Sequence, residues 1–215
     1  QCSEAFIQNL AKLHALDYEK AGLGALRKEG SFVERQVTGW TKRYYGSQTD
    51  DIPSIVETEQ WLNAHFPQDS GAAMIHNDYK YDNIVLDGED LTKIIGVLDW
   101  EMATIGDPLM DFGTALGYWM EAGDPSMGAV SCFMTLEPGS MTRREMVTRY
   151  AELTGRDVSN ILFYYVFALF KLAVIVQQIY YRYKQGLTKD ERFAPLIFMV
   201  GGLGMRSVEL IHRGS

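Results

Sequence analysis

Two short stretches of the sequence bring together side chains that could carry out phosphorus chemistry. Residues 76–83 read HNDYKYDN, and residues 97–101 read VLDWE. The amide oxygen of Asn83 and the carboxylate of Asp99 are hard ligands, which suit Mg²⁺ well and zinc poorly. A second carboxylate beside such an ion, Asp78, could accept a proton from a hydroxyl group and orient that group towards a phosphorus atom. This division of labour is typical of kinase-type phosphoryl transfer.

A predicted β-hairpin explains how these side chains would meet. The runs at residues 84–86 and 94–98 are short, apolar and rich in β-branched residues, and an Asp-Gly turn signal follows the first run. We therefore expect an antiparallel hairpin that closes over residues 87–93. Because the start of one strand then lies beside the end of the other, Asn83 and Asp99 would meet at the open end. The loop that carries the candidate base would lie just before them.

The other elements are predicted to be mostly helical. Apolar residues recur at helical spacing, and the signals Asp107-Pro108, Thr142-x-x-Glu145 and Gly155 mark helix starts and a helix stop. The expected helices cover residues 3–16, 32–45, 53–65, 159–185 and 191–212, and the last is expected to be interrupted at glycines 201, 202 and 204. We therefore expect one α+β unit over residues 1–215, mostly α, with the loop and hairpin at 72–99 and a helical region at 107–215.

Composition excludes some classes of function. The chain has 28 acidic and 20 basic residues and a formal net charge of −8. This charge argues against a general nucleic-acid binder, which needs a basic face to displace phosphate counterions. The two cysteines, Cys2 and Cys132, are too few for a disulfide framework, so a reducing, cytoplasmic location is expected. Residues 161–176 are strongly apolar but short for a membrane span and contain Lys171, so we expect a buried core helix and no membrane partner.

The motif His-x-Asp-x-x-x-x-Asn at residues 76–83, followed by Asp99 and by the segment GDPLMD at 106–111, resembles the aminoglycoside phosphotransferase family. The segment at 32–36 and the Leu-Asp-Trp-Glu block are similar to the kinase-like domains related to those fused to acyl-CoA dehydrogenases. The resemblance implies a protein-kinase-like fold, of which this chain would be the large, C-terminal lobe. It also implies ATP as phosphate donor, Mg²⁺ as cofactor and a small-molecule hydroxyl as acceptor.

The resemblance further implies a role for each position that matches the family pattern. The catalytic base would be Asp78, the metal ligands Asn83 and Asp99, the contact to the transferred phosphate Lys80, and the structural supports His76, Asp107 and Asp111. His76 would brace the catalytic loop against the segment around Asp99, and the two later aspartates would act as helix cap and loop brace. Whether Lys80 contacts the phosphate stays open, because many members of the family carry another residue there.

The nucleotide-clamping parts of kinase-like enzymes are not found in the sequence. It contains no G-x-G-x-x-G pattern, no Walker loop and no lysine-bearing strand before the first helix. In the family a small N-terminal lobe supplies these parts, so we expect the chain to start after the hinge and to be inactive or feeble on its own. Two other functions stay open: a non-catalytic kinase-like scaffold, and a metal-dependent phosphoesterase. The second would need more clustered carboxylate or histidine ligands than this chain offers.

The sequence gives a weaker indication of the acceptor. In kinase-like small-molecule enzymes the acceptor pocket is formed by the helical region after the metal aspartate, which here means Tyr118–Phe133 and Phe163–Tyr183. Aromatic and aliphatic residues dominate there, whereas a polycationic aminoglycoside would favour an acidic pocket. A neutral or partly apolar hydroxyl compound is therefore expected. The sequence does not indicate an oligomeric state.

Overall fold

The computed structural model describes residues 1–122, 124 and 133–214 of the chain. Within these residues it contains seven α-helices and four short β-strands. The helices are α1 Cys2–His14, α2 Phe32–Ser47, α3 Pro53–Ala64, α4 Pro108–Tyr118, α5 Arg143–Thr154, α6 Ile161–Lys184 and α7 Leu196–Gly214. The strands are β1 Ala73–Ile75, β2 Ile84–Leu86, β3 Ile94–Val97 and β4 Thr104–Gly106. The predicted α+β class with a helical majority is confirmed.

Helices α4 and α5 begin at their predicted signals, and α5 ends at its predicted stop. The Asp107 carboxylate accepts the backbone N–H of Leu109 at 2.8 Å, and a proline follows as the first residue of α4. Thr142 and Glu145 form a reciprocal capping box at the start of α5. That helix ends at Gly155, which adopts the left-handed conformation with a φ of 67°. Local side-chain chemistry therefore fixes both ends of α5 and the entry to α4.

Helix α6 is the central helix of the core. It packs against α2, α4 and α7, and its side chains Phe167, Phe170 and Val174 are buried. The approach of α4 is very close, because a Cβ added to Gly113 would lie 2.6 Å from the backbone oxygen of Tyr164. Only glycine allows the two helix backbones to approach this closely. The predicted core position of the apolar run in α6 is confirmed.

The predicted interruption of the last helix is wrong. Helix α7 runs without a break from Leu196 through all of its glycines, and the segment before Pro195 forms only a short 3₁₀ turn. Pro195 lacks a backbone N–H, so it is tolerated at the start of the helix and not within it. A Cβ added to Gly204 would lie 2.5 Å from the Ser54 hydroxyl oxygen. This glycine therefore serves close packing of α7 against α3.

Among the residues that the structure describes, two helical segments are long and apolar enough to cross a membrane by length and composition alone. One is α6, in which 72% of the most apolar window is buried inside the protein. The other is the segment Glu191–Gly214, in which 28% of that window is buried. A core helix of a folded domain passes the same test, and the burial of α6 fits that explanation.

Two separate antiparallel pairs of strands carry the loops of interest. The predicted hairpin is confirmed: β2 pairs with β3, with Ile84 opposite Val97, and the backbone N–H of Asp87 donates to the carbonyl of Lys93 at 2.9 Å. Strand β1 pairs with β4, which was not predicted because the two strands are about 30 residues apart in sequence. These pairs place the loop after β1 beside the open end of the hairpin.

Candidate active site

The loop after β1 is held in place from its first residue. The backbone N–H of His76 donates to the Asp111 carboxylate at 2.8 Å, and its imidazole is fully buried. The imidazole Nδ1 accepts the backbone N–H of Asp78 at 3.3 Å, and Nε2 lies 2.8 Å from the carbonyl oxygen of Leu98. These partners assign the proton to Nε2, which donates to Leu98. His76 thus joins the loop to the residue before Asp99.

The Asp111 carboxylate, also completely buried, organises the next residue of the loop. It accepts the backbone N–H of Asn77 at 2.7 Å, which helps to hold this residue at a left-handed φ of 66°. It also lies 3.1 Å from His14 Nε2, and the other nitrogen of His14 lies 2.7 Å from the Tyr150 hydroxyl. Burial alone would raise the pKa of Asp111, but His14 and the two backbone donors hold it below its ordinary value.

Several hydrogen-bond donors surround the carboxylate of Asp78, the predicted base. Its Oδ2 accepts the side-chain amide N–H of Asn83 at 2.9 Å and lies 2.9 Å from the ammonium of Lys80. The Tyr118 hydroxyl is hydrogen-bonded to the same carboxylate, and burial followed by the charge of Asp78 raises the pKa of Tyr118. The Asp78 side chain is 16% exposed, so it is largely shielded and still reachable.

The open end of the hairpin brings the predicted metal ligands onto neighbouring positions. The backbone N–H of Leu98 donates to the carbonyl of Asn83 at 2.8 Å, and Asp99 follows at once. Asp99 is exposed, has a left-handed φ of 63° and begins a 3₁₀ turn at Trp100. The indole N–H of Trp100 donates to the carbonyl of Val97 at 2.8 Å, which fixes this corner.

The donor set at this corner fits a magnesium ion that also binds phosphate. The side-chain amide nitrogen of Asn83 donates hydrogen bonds to Asp78, so its amide oxygen is the atom that could ligate a cation, together with the Asp99 carboxylate. No group of three or more His, Cys, Asp or Glu residues able to hold a metal is found in the part of the chain that the structure describes. Two protein oxygens with water and substrate phosphates are the usual ligands of Mg²⁺ in such sites.

Asp107 lies outside this corner and supports it. Besides capping α4, its carboxylate accepts from the backbone N–H of Ser70 at 3.1 Å and from the Ser70 hydroxyl at 2.5 Å. It also accepts from the Tyr164 hydroxyl at 3.2 Å. The carboxylate thereby ties together the segment before β1, the start of α4 and the central helix α6.

Three residues in contact with the site were not named individually as site residues, although two of them, Tyr118 and Lys171, lie in the predicted acceptor regions. Tyr118 touches Asp78, His14 touches Asp111, and Lys171 of α6 donates to the carbonyl of Asn77 at 2.8 Å. A lysine in an otherwise apolar helix was the one sequence signal that could have identified Lys171. Of the predicted acceptor region 118–133, residue 123 and residues 125–132 lie outside the described residues.

Comparison with known proteins identifies the family. The sequence model described as the phosphotransferase enzyme family, APH, matches residues 1–142. The chain belongs to this family. It is 31% identical over 180 residues to mouse acyl-CoA dehydrogenase family member 10, covering 83% of this chain and 17% of that protein. It is 32% identical over 191 residues to human acyl-CoA dehydrogenase family member 11, covering 87% of this chain and 24% of that protein.

Solved structures confirm the kinase-like fold. A Ralstonia eutropha protein provisionally named an aminoglycoside phosphotransferase is 27% identical, with a TM-score of 0.86, covering 99% of this chain and 65% of that one. Choline kinase from Cryptosporidium parvum is 10% identical, with a TM-score of 0.63, covering 99% of this chain and 64% of that one. The second likeness concerns the fold alone. The chain therefore spans under two thirds of these structures and about a fifth of the curated relatives. The individual residue roles stay predictions.

Proposed function

We propose that the native protein transfers the γ-phosphate of ATP to a hydroxyl group of a small molecule, with Mg²⁺ as cofactor. The observation that carries the proposal is the Asp78 carboxylate, which is 16% exposed and bound by Asn83 and Lys80 at 2.9 Å each. Its loop is tied through His76 to Leu98, the residue before Asp99. Membership of the phosphotransferase family and the kinase-like fold support it. Neither of them identifies a donor, a metal or an acceptor.

The geometry suggests what each side chain does. Asp78 accepts the proton of the acceptor hydroxyl, and the amide of Asn83 and the hydroxyl of Tyr118 keep the carboxylate in one orientation. Lys80 places a positive charge 2.9 Å from that carboxylate, where it favours an anionic group. Asn83 and Asp99 would hold Mg²⁺, which when bound neutralises charge on the nucleotide phosphates.

We also propose that the nucleotide clamp lies outside this chain. The sequence carries no glycine-rich or Walker loop, and 35% of the length of the Ralstonia structure has no counterpart here, since the chain covers 65% of it. On this proposal the 215-residue chain alone turns over ATP feebly or not at all. A purified 215-residue chain with ordinary ATP turnover would contradict it.

The test of the catalytic proposal is Asp78→Asn in the full-length native protein. Removing a general base typically costs about 10²–10⁴-fold in rate, so phosphate transfer to a panel of hydroxyl compounds should fall by that factor. The variant should still bind Mg-ATP, as measured by the shift in its melting temperature. Asp82→Asn is the matched control, because Asp82 belongs to the same loop and is exposed. Unchanged transfer by the Asp78 variant would refute the assignment of the base.

A non-catalytic scaffold remains the second candidate, and the absent clamp favours it. A pure scaffold should show no metal-dependent stabilisation by ATP, whereas binding to the folded state alone raises the melting temperature with ligand concentration. Titrating the full-length protein with ATP, with and without Mg²⁺, separates the two functions. The presence of two potential Mg²⁺ ligands, Asn83 and Asp99, favours the phosphotransferase over the scaffold.

A further inference from the structure

A cavity of 560 Å³ opens beside Asn77 of the catalytic loop, between α2, the loop before β4 and α6. Its lining includes four cationic side chains, Lys28, Arg35, Arg43 and Lys171, which together define the basic cavity. No aspartate or glutamate is among the described residues that line it. This is a local excess of positive charge in a chain whose formal net charge is −8.

Lys171 is the buried cation of this cavity. The residue is 5% exposed, and its ammonium donates one hydrogen bond, at 2.8 Å, to the backbone carbonyl of Asn77. An ammonium has three donors, so two remain for another partner. No carboxylate of the described residues lies within ion-pair distance of it, although burying an ammonium without a counter-charge is costly. Burial lowers the pKa of Lys171 to about 8, against the partial compensation of the more distant Asp111 and Asp78.

A second cation, Arg43, lies against the same aromatic ring as Lys171, that of Trp40. The Arg43 guanidinium lies 4.4 Å from the centre of the Trp40 ring, and the Lys171 ammonium lies 5.6 Å from it. Arg35 also lines the cavity, and backbone carbonyls of the preceding loop, including that of Gly30 at 2.8 Å, hold its guanidinium. Guanidinium groups bind carboxylates and phosphates in a two-point geometry.

We propose that the basic cavity binds a small molecule through its carboxylate or phosphate group, with Lys171 and Arg43 as the principal partners of that group. The anion has two sources that fit the same chemistry. It could belong to the acceptor itself, since Lys171 is bonded to the residue just before Asp78, and this version rests on the proposed function. It could equally be a separate anion bound next to the catalytic loop. In the first case the acceptor is anionic, not the neutral compound expected from sequence.

The first experiment measures anion binding and does not depend on catalysis. The full-length native protein is titrated with inorganic phosphate and with acetate, at constant ionic strength set by potassium chloride, and its melting temperature is followed. The half-saturating concentration should rise at least tenfold in Lys171→Met and in Arg43→Gln. Lys42→Met, an exposed lysine of the same helix as Arg43 that does not line the cavity, should bind like the parent protein.

Two outcomes would overturn the proposal. One is a melting temperature that responds to phosphate and acetate no more than to chloride. The other is binding that survives in Arg43→Gln and in Lys171→Met alike. If Lys171→Met does not fold, Arg43→Gln decides the question alone, because Arg43 lies near the helix surface and is not part of the core.

The second experiment distinguishes the two sources of the anion. Matched hydroxyl compounds with and without a carboxylate are compared as acceptors for the parent protein and for Arg43→Gln. An acceptor anion predicts that KM rises at least tenfold in the variant for the charged compound only. A separate anion predicts equal KM changes for both compounds and a rate that depends on added phosphate. If anion binding is present and no acceptor is phosphorylated, the cavity assignment holds and the proposed function fails.

Discussion

Replacing Asp111 by asparagine should destabilise the fold and loosen the catalytic loop. The carboxylate accepts the backbone N–H groups of His76 and Asn77 at 2.8 and 2.7 Å, one on each oxygen. An asparagine side chain has one acceptor oxygen, so its amide N–H₂ would face one of these two donors. One hydrogen bond to a charged group would be lost, and a buried backbone donor would be left without a partner.

The size of the effect follows from these contacts. A hydrogen bond to a charged group contributes about 1.5–3 kcal/mol, and an unsatisfied buried donor costs about 1–3 kcal/mol. We therefore expect a loss of roughly 3 kcal/mol in the free energy of unfolding, within the ~3–5 kcal/mol seen when a buried ionic network is broken. For a chain of this size that lowers the melting temperature by roughly 6–12 °C, at ~2–4 °C per kcal/mol.

Thermal denaturation of the parent and variant chains measures this effect, with Asp157→Asn as control. Asp157 is exposed and accepts from the backbone N–H and the hydroxyl of Ser159, so its replacement should move the melting temperature by about 2 °C or less. Because the pKa of Asp111 is lowered in the fold, its stabilisation is present above pH ~4 and lost as the pH falls through the lowered pKa. Equal melting temperatures of parent and Asp111→Asn chains at pH 7 would refute the reasoning.

Four further predictions test other features of the chain. Gly113→Ala should lower stability by about 1–3 kcal/mol, because its Cβ would meet helix backbone. Gly201→Ala, where nothing lies within 4 Å of the added Cβ, should raise stability by up to about 1 kcal/mol in the same denaturation assay. Tyr118→Phe removes a hydrogen bond to Asp78 and should lower kcat of the full-length protein about tenfold while leaving Mg-ATP binding unchanged. Burial lowers the pKa of Lys171 from 10.5 to about 8 in the folded chain, so the folded chain loses this proton at a lower pH than the unfolded chain does. The free energy of unfolding should therefore rise between about pH 8 and pH 10.5. Lys171→Met, measured by the same denaturation assay, should not show this rise.

Local signals made much of the fold predictable. The hairpin at 84–97 needed only two apolar runs and an Asp-Gly turn, and its register follows from neighbouring residues. The helix caps at Asp107 and Thr142 act within three residues of themselves, so the sequence alone reveals them. Strand β4 escaped prediction because its partner lies about 30 residues earlier in the chain.

The candidate site was predictable only in part, for the same reason. The positions of Asp78, Asn83 and Asp99 followed from the hairpin and from the family pattern. His14 contacts Asp111, which holds the catalytic loop, and Lys171 contacts Asn77 of that loop. These partners are 97 and 94 residues apart in sequence, and no periodicity reveals such contacts. The glycines of α7 suggested an interruption because glycine is a poor helix former, and the close packing of Gly204 against α3 is a tertiary property that local sequence does not show.

The two left-handed residues of the site, Asn77 and Asp99, have a consequence for the dynamics of the molecule. They are the non-glycine residues with positive φ in the part of the chain that the structure describes. Each such conformation costs about 1–2 kcal/mol, though less for Asn and Asp than for other residues. Asn77 directly precedes Asp78, and Asp99 follows strand β3 of the hairpin, so this conformational strain lies at the candidate site. A bound phosphate or ion that contacts Asn77 and Asp99 would therefore stabilise the most strained backbone of the candidate site.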